Sequence, residues 1–399
     1  MRDAARVACV SRGFAHSWRY YPNLVFNDET LGINANTWIK GEKMRDFTSK
    51  VDCIMKKHSG IGLEELNVTL SSTNAMYNFP CTLLSGGTGE LLRYLVLVNC
   101  NFHPTKLVCL KSLTRLRLHK VNILVDELEC LLSNSFSLEQ LKLCNCNTIV
   151  CLKIPCLKRL SSLEVSACNR LQVIESKAPN LSFFSFGGKP HVRLPLGGTS
   201  PIKKLSVSYN DAAFYARTEL PSRLPNLEAL IIFSHPEAVN TPMMNSKFLH
   251  LKFLHIILGG RDYDFLSLVS FLDASPSLEN FRLTVSHYLS YPLDLRTVPG
   301  HLYDKLKFVE IINFSSAKTL IELTCHILGS TRCSVSKSGK CLLMHKDTLV
   351  EAGRALLSVE TYIKPNVPPA VELNAVEPCR RCHAHLLDDN NKLFSVLVS

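Results

Sequence analysis

Leu-Thr-Arg-Leu-Arg-Leu, residues 113–118, is one copy of an L-x-x-L-x-L unit that recurs along the chain. Further copies keep an aliphatic or aromatic residue at the first, fourth and sixth positions. They begin at Leu63, Leu92, Leu138, Leu160, Leu181, Ile202, Leu227, Leu251, Leu278 and Leu306. From Leu92 onward the starts lie 21, 25, 22, 21, 21, 25, 24, 27 and 28 residues apart. Such a regular series predicts a repeat protein rather than a set of separate globular domains.

A period of about 20 to 29 residues with this pattern is typical of leucine-rich repeats. We therefore predict an α/β leucine-rich-repeat solenoid: a curved parallel sheet with helical or irregular returns, preceded by a short helical N-terminal segment. Residues 126–132 are acidic at the start and apolar at helical spacing, which predicts a helical return. Residues 317–328 show the same helical spacing after the last repeat.

Composition narrows the class of protein. The chain has 399 residues, of which 46% are hydrophobic and 20% are charged, so it can bury a large core. Its net charge of +11 is spread out rather than gathered in runs. This distribution favours a generally basic surface over nucleic-acid binding. The sequence has no apolar stretch of the length that crosses a membrane, so we expect neither nucleic acid nor membrane as a partner.

The 16 cysteines are scattered, and the first residues lack the apolar region of a signal peptide. Together these features favour a reducing compartment, the cytoplasm or the nucleus. The ninth repeat position of leucine-rich repeats is a buried Asn or Cys. Counting nine residues from the repeat starts gives Cys100, Cys146, Cys168 and Asn210. We therefore interpret these cysteines as repeat residues rather than metal ligands.

One cysteine pair lies outside the repeats. Cys379 and Cys382 form a C-x-x-C pattern followed by His383 and His385, which could hold zinc or belong to a solvated tail. No second ligand pair follows at a set distance, so we predict no metal and no cofactor. The sequence also lacks a P-loop, a nucleophile elbow and an H-E-x-x-H motif. We expect a protein without catalytic activity.

Residues 1–30 contain an apolar stripe at helical spacing, formed by Val7, Val10, Phe14 and Trp18 and surrounded by arginines. An Arg-rich transit segment, a helix that caps the first repeat and part of an interaction module all fit this pattern. The pattern alone favours the cap, because a solenoid must cover its first repeat.

The sequence of residues 1–19, followed by Tyr-Pro-Asn-Leu at 21–24, resembles the second half of an F-box. The repeats and residues 371–379 resemble the same large plant family of F-box, leucine-rich-repeat and FBD proteins. The resemblance implies a substrate receptor of a Skp/cullin/F-box ubiquitin ligase. It places Arg2, Val7, Val10, Phe14 and Trp18 on the adaptor-binding side.

The first half of an F-box, a Leu-Pro segment and a helix, is absent from this sequence. Either the start at Met1 is assigned too late, or the product is a natural truncation. The second case gives the alternative function, a stand-alone or vestigial interaction protein that cannot bind the Skp adaptor. We divide the chain into a partial F-box (1–30), a linker helix (31–60), leucine-rich repeats (61–328) and an FBD-like region with a tail (329–399). In the linker helix, Met44, Phe47, Val51, Ile54 and Met55 are spaced to face the first repeat.

Side chains alternate along a strand, so the third, fifth and seventh residues of each repeat face the concave surface of the predicted sheet. A protein partner is expected there. A basic patch is predicted from Arg115, Arg117, His119 and Lys142, and an apolar patch from Ile231, Phe233, Phe253, Ile257, Phe308 and Ile312. Apolar residues at positions that face water are expected to be shielded from it. Either the C-terminal tail covers them, or the repeats curve less than this prediction assumes, or they recognise a partner.

Overall fold

The computed structural model describes residues 20–33, 40–58, 62–71, 76–84, 88–104, 110–190, 192–194, 201–234, 246–259, 263–285, 295–296, 303–328, 346–369 and 371–375. The chain forms two compact units, Met1–Ile202 and Lys203–Ser399.

The N-terminal unit is built on a parallel sheet in the order β1-β2-β4-β5-β6-β8-β10. These strands are β1 (Asn23–Phe26), β2 (Glu65–Thr69), β4 (Tyr94–Asn101), β5 (Arg115–Asn122), β6 (Gln140–Cys144), β8 (Ser162–Ser166) and β10 (Phe183–Gly187). The short strand β3 (Tyr77–Asn78) pairs with β4, while β7 (Cys151–Ile154) and β9 (Val173–Ser176) form a second, two-stranded sheet. The α-helices among its described residues are α1 (Lys40–Lys57) and α2 (Val125–Ser133).

The C-terminal unit has a parallel sheet of strands β11 to β15, in chain order. They are β11 (Lys204–Tyr209), β12 (Ala229–Ser234), β13 (Phe253–Leu258), β14 (Asn280–Val285) and β15 (Phe308–Ile312). In the part of this unit that the structure describes, the α-helices are α3 (Ala212–Thr218), α4 (Leu220–Arg223), α5 (Val269–Asp273), α6 (Lys318–Leu328) and α7 (Lys346–Ser358). A π-helical turn at Val359–Ile363 and a 3-10 turn at Lys364–Asn366 follow α7.

The repeat leucines form the core, as the pattern predicts. From Arg115 to His119 in β5 the burial alternates strictly, and Leu116 and Leu118 are at most 1% exposed. In register, Leu118 lies beside Leu97 of β4 and Leu143 of β6. Each of the eleven predicted repeats supplies one strand, so the predicted leucine-rich-repeat solenoid is confirmed.

Helix α1 packs its apolar stripe inward, because Phe47 and Val51 are fully buried and Met55 is 6% exposed. The Phe47 ring meets the Tyr77 ring edge-on, with 5.7 Å between centroids. The Tyr77 hydroxyl donates a hydrogen bond of 2.8 Å to Asp52 Oδ1. The stripe predicted to face the first repeat is therefore confirmed at these positions, while Met44 and Ile54 stay half-buried.

A left-handed residue at the eighth repeat position shapes the turn after many strands. Among the described residues, six non-glycine residues have a positive φ, and five of them occupy this position: Asn99, Lys120, Asn145, Ala167 and Asn313. The turn brings the ninth residue inward, so Cys100, Cys146 and Cys168 are at most 7% exposed. Their predicted role as buried repeat residues is confirmed.

The prediction for Asn210 is wrong, because this side chain is exposed. Strand β11 continues to Tyr209, which occupies the eighth position and points inward at 9% exposure. The left-handed residue here is Asp211, with a φ of 60°. Since the strand runs further before it turns, the ninth residue falls on the outside.

Replacing Ala167 by Gly is expected to raise the free energy of unfolding. A left-handed conformation costs an L-residue about 1 to 2 kcal/mol, and the chain entropy of glycine offsets about half of that, which leaves a gain of about 0.5 kcal/mol. Urea denaturation measures the change. The control is Ala178→Gly, since Ala178 is an alanine with no positive φ, and it is expected to destabilise. A loss of stability in both variants would contradict this explanation.

The C-terminal residues give one confirmed helix and one that the sequence did not predict. Helix α6 matches the helix predicted at 317–328. Helix α7 and the turns after it pack beside α6: Ser316 N and Oγ donate to Glu351 Oε1 at 2.8 and 2.7 Å, and the Cys325 thiol lies 3.5 Å from the Tyr362 carbonyl oxygen. The irregular packing predicted for residues 331–345 falls outside the described residues.

Candidate functional site

We call the surface formed by the third, fifth and seventh residues of the repeats the open face, because these side chains alternate with the buried leucines. In-register pairing arranges them in rows that run across the strands. In the N-terminal unit, the third-position row is Glu65, Tyr94, Arg115, Gln140, Ser162 and Phe183. The fifth-position row is Asn67, Val96, Arg117, Lys142, Glu164 and Ser185. The seventh-position row is Thr69, Val98, His119, Cys144, Ser166 and Gly187.

The basic residues predicted from the sequence lie together on this face. Arg115, Arg117 and His119 follow one another along β5, and Lys142 of β6 is the in-register neighbour of Arg117. Both arginines are exposed, whereas His119 and Lys142 are half-buried. Side chains of β2, β4, β5, β6 and β8 line an open hollow of about 420 Å³ around Arg115 and Arg117.

Neighbouring side chains organise these charges. The Arg115 guanidinium stacks over the Tyr94 ring, with 5.2 Å from Cζ to the ring centroid. Lys142 forms an ion pair with Glu164 of the next strand, so its charge is largely compensated. Burial lowers the pKa of His119, and the positive charges of Lys120 and Arg117 lower it further. The lowered pKa favours the neutral form of His119, so the two arginines supply the positive charge of the hollow.

In the C-terminal unit the open face again has three rows. The third-position row is Lys204, Ala229, Phe253, Asn280 and Phe308. The fifth-position row is Ser206, Ile231, His255, Arg282 and Glu310. The seventh-position row is Ser208, Phe233, Ile257, Thr284 and Ile312.

The six predicted apolar residues all lie on this face. Phe233 and Ile312 are each 36% exposed, and the other four are half-buried. They are divided by a polar centre, since the middle row carries His255 and an ion pair between Arg282 Nε and Glu310 Oε2 of 2.5 Å. The apolar residues therefore surround a charged pair rather than forming one continuous surface.

His255 of the polar centre contacts a polar side chain of the neighbouring strand. Its Nε2 lies 3.1 Å from the Thr284 hydroxyl oxygen. Burial lowers the pKa of His255, Arg282 lowers it further, and Glu310 acts in the opposite direction. A neutral His255 leaves Arg282 and Glu310 as the charged members of the row.

Sequence reasoning identified the positions on the open face but missed how they pair. Lys142 and Glu164 both occupy the fifth position of consecutive repeats, and so do Arg282 and Glu310. Opposite charges at the same position of neighbouring repeats meet across adjacent parallel strands. This signal was present in the sequence and would have found both ion pairs.

Two predicted sites fall outside the described residues. These are the adaptor-binding residues Arg2, Val7, Val10, Phe14 and Trp18, and the pair Cys379 and Cys382. Within the part of the chain that the structure describes, no group of three or more His, Cys, Asp or Glu side chains could hold a metal ion. None of the described helices is long and apolar enough to cross a membrane.

The parallel sheets, the regular strand spacing and the buried leucine ladder define a leucine-rich-repeat protein. A family model described as "At1g61320/AtMIF1, LRR domain" matches residues 30–380. The chain belongs to this leucine-rich-repeat family, whose domain is a protein-interaction module by type. A comparison with curated proteins finds no match. The F-box and FBD parts of the resemblance stay predictions.

Proposed function

We propose that the chain is a non-catalytic protein-binding module that holds a protein target on its open face. The observation that carries this proposal is the set of six apolar side chains on this face around the Arg282–Glu310 pair, of which Phe233 and Ile312 are exposed and the others half-buried. Protein interfaces are anchored by a few large apolar and arginine side chains. In the described part of the tail, Glu351 contacts Ser316 and Tyr362 contacts Cys325, at the end of the unit, while Phe233 and Ile312 keep 36% of their surface exposed.

A double substitution, Phe233→Ser with Ile312→Ser, tests this role. We expect it to abolish capture of the partner, because it removes two apolar anchors from the open face. The melting temperature should fall by only a few degrees, since both side chains are already partly exposed. Quantitative affinity purification from cells that express the full chain measures capture, and thermal unfolding measures stability.

Leu249→Ser is the matched control, because Leu249 is 55% exposed and lies before β13 rather than on the open face. It should leave capture unchanged. Retention of the same partner by the double variant would refute binding through this face. If the double variant unfolds, Phe233 and Ile312 are core residues, and the proposal also fails.

For the finer role, we propose a substrate receptor of a Skp/cullin/F-box ubiquitin ligase in the cytoplasm or nucleus. Support comes from the resemblance of residues 1–19 to part of an F-box. Such a subunit performs no chemistry. It raises the effective concentration of a target near a ubiquitin-charged enzyme. Binding of the purified full chain to a purified Skp adaptor, with Phe14→Ala and Trp18→Ala as variants, tests this role.

The alternative is a stand-alone interaction protein that does not bind the adaptor. One observation favours it: Asn23 and Leu24, within the F-box resemblance, belong to β1, which pairs in register with β2. Leu24 and Phe26 are fully buried there. These residues therefore serve the repeat sheet. Failure of the full chain to bind the Skp adaptor, with partner capture intact, would establish the alternative.

A further inference from the structure

We propose that the hollow around Arg115 and Arg117 binds an extended acidic peptide segment of the partner, in which two carboxylates are separated by one residue. The inference rests on the proposed function, because it names the chemistry that the open face of the N-terminal unit would recognise. It adds the chemical class of the ligand, the sequence pattern of that ligand and its orientation along β5.

The first argument is the state of the two arginines. Both side chains are exposed, and no carboxylate among the described residues pairs with either of them. Stacking on Tyr94 holds Arg115 in place, so its orientation is set before any ligand arrives. A planar guanidinium presents a fork of N–H donors that matches a carboxylate. Two such forks in one hollow of about 420 Å³ form a preorganised anion site.

The second argument is spacing. Arg115 and Arg117 are two residues apart on β5 and therefore lie on the same face, at about 6.6 Å along the strand. An extended peptide places every second side chain on one side with the same spacing. A segment that runs along β5 can thus bring carboxylates at positions i and i+2 opposite the two guanidinium groups.

The third argument is the position of the negative charges. In the third-position row, Glu65 lies two strands to one side of Arg115. In the fifth-position row, Glu164 lies two strands to the other side of Arg117 and compensates Lys142. An acidic ligand that crosses the strands therefore meets the Glu65 carboxylate on one flank and the compensated Lys142–Glu164 pair on the other, and neither offers it a further net positive charge. The favourable strip is therefore one strand wide and runs along β5.

The same arrangement favours a peptide over a nucleic acid. A nucleic-acid backbone carries a phosphate at every residue and needs a broad or continuous basic track. The strip is short, and Glu65 and Glu164 bound it on both sides. A short acidic segment of a protein fits a basic strip that is both short and bounded on its two sides.

Fluorescence anisotropy with the full chain tests this inference. The probe is a fluorescein-labelled nonapeptide of Gly and Ser with two Glu residues separated by one Ser. Matched probes carry adjacent glutamates, glutamates separated by two serines, or two glutamines in place of the glutamates. We expect the i, i+2 probe to bind at least fivefold more tightly than each matched probe. Because the contacts are ionic, the affinity should also fall between 50 and 200 mM NaCl.

Variants locate the site. Arg117→Glu is expected to weaken binding of the i, i+2 probe at least tenfold, and Arg117→Lys to weaken it less, because lysine keeps the charge but loses the fork. Arg159→Glu makes the same change of charge at an exposed residue between β7 and β8, away from the open face. It should change the affinity less than twofold.

Three results would overturn the inference. They are equal binding of all acidic spacings, equal weakening by Arg117→Glu and Arg159→Glu, and tighter binding of a thymidylate dodecamer than of the peptide. The partner-capture experiment with Phe233→Ser and Ile312→Ser separates this failure from that of the proposed function. Loss of the partner in that variant, with no preference for acidic probes, would reject the acidic segment and leave the protein-binding role standing.

Discussion

Replacing Leu118 by Ala is expected to lower the free energy of unfolding by about 3 kcal/mol, within the range of buried Leu→Ala substitutions. Leu118 is fully buried and lies between Leu97 and Leu143 of the neighbouring strands. The repeat strands are close-packed and fixed in register, so the cavity cannot easily collapse. Urea denaturation measures the change as a lower midpoint with an unchanged slope.

The control is the neighbouring residue. Arg117→Ala should change the free energy of unfolding by less than about 0.5 kcal/mol, because this side chain is exposed on the open face. The two substitutions together test the division between residues that hold the fold and residues that meet a partner. Similar losses of stability in both variants would show that the division is wrong.

Glu322→Ala is expected to destabilise the protein by about 2 to 3 kcal/mol. The Glu322 side chain is fully buried in α6 and binds Arg296 three times: Oε1 accepts from the backbone N at 2.6 Å, and Oε2 accepts from Nε at 3.0 Å and from Nη2 at 2.7 Å. Removing the carboxylate takes this acceptor away from the Arg296 backbone N, Nε and Nη2. The Arg296 side chain is 48% exposed and can turn partly to water, so the effect stays below that of a fully buried pair.

Thermal and urea unfolding measure this loss. Glu219→Ala is the control, because Glu219, just before α4, pairs with Arg223 of that helix and both side chains are nearly half exposed. That variant should keep the wild-type midpoint within experimental error. If Glu322→Ala also kept it, the cluster around Arg296 would not contribute to the stability of the C-terminal unit.

Much of the fold could be predicted because two regularities coincide in the sequence. The repeat period locates each strand, and the alternation within L-x-x-L-x-L separates buried from open-face residues. Leu116 and Leu118 are buried, and Arg115 and Arg117 are exposed, as this alternation requires. The burial of the cysteines follows from the same repeat count, since Cys146 and Cys168 occupy equivalent turns.

The parts that the sequence did not predict lack such a signal. Strands β1, β3, β7 and β9 have two to four residues, too few for a clear alternation. Residues 23–26 were assigned to a different module because of their resemblance to an F-box, although Leu24 and Phe26 alternate as repeat residues do. Helix α7 lies beyond the last repeat, where no period marks it.

The candidate site was also predicted only in part. Positions on the open face follow from the strand period, but their environment depends on pairs across neighbouring strands. The stacking of Arg115 on Tyr94 and the pairing of Lys142 with Glu164 involve residues 21 and 22 positions apart. The contact between Arg296 and Glu322 joins a segment outside the repeat strands to α6, so no repeat position indicates it.

Site-specific photocrosslinking tests the central claim that a protein partner binds the open face. A photoreactive phenylalanine analogue is placed at Val96 or Ile231, both on the open face, or at Lys158, an exposed residue between β7 and β8. In cells that express the full chain, we expect Val96 or Ile231 to crosslink a discrete protein that mass spectrometry identifies, and Lys158 not to crosslink it. Crosslinking of that protein from Lys158, with none from Val96 or Ile231, would contradict the claim.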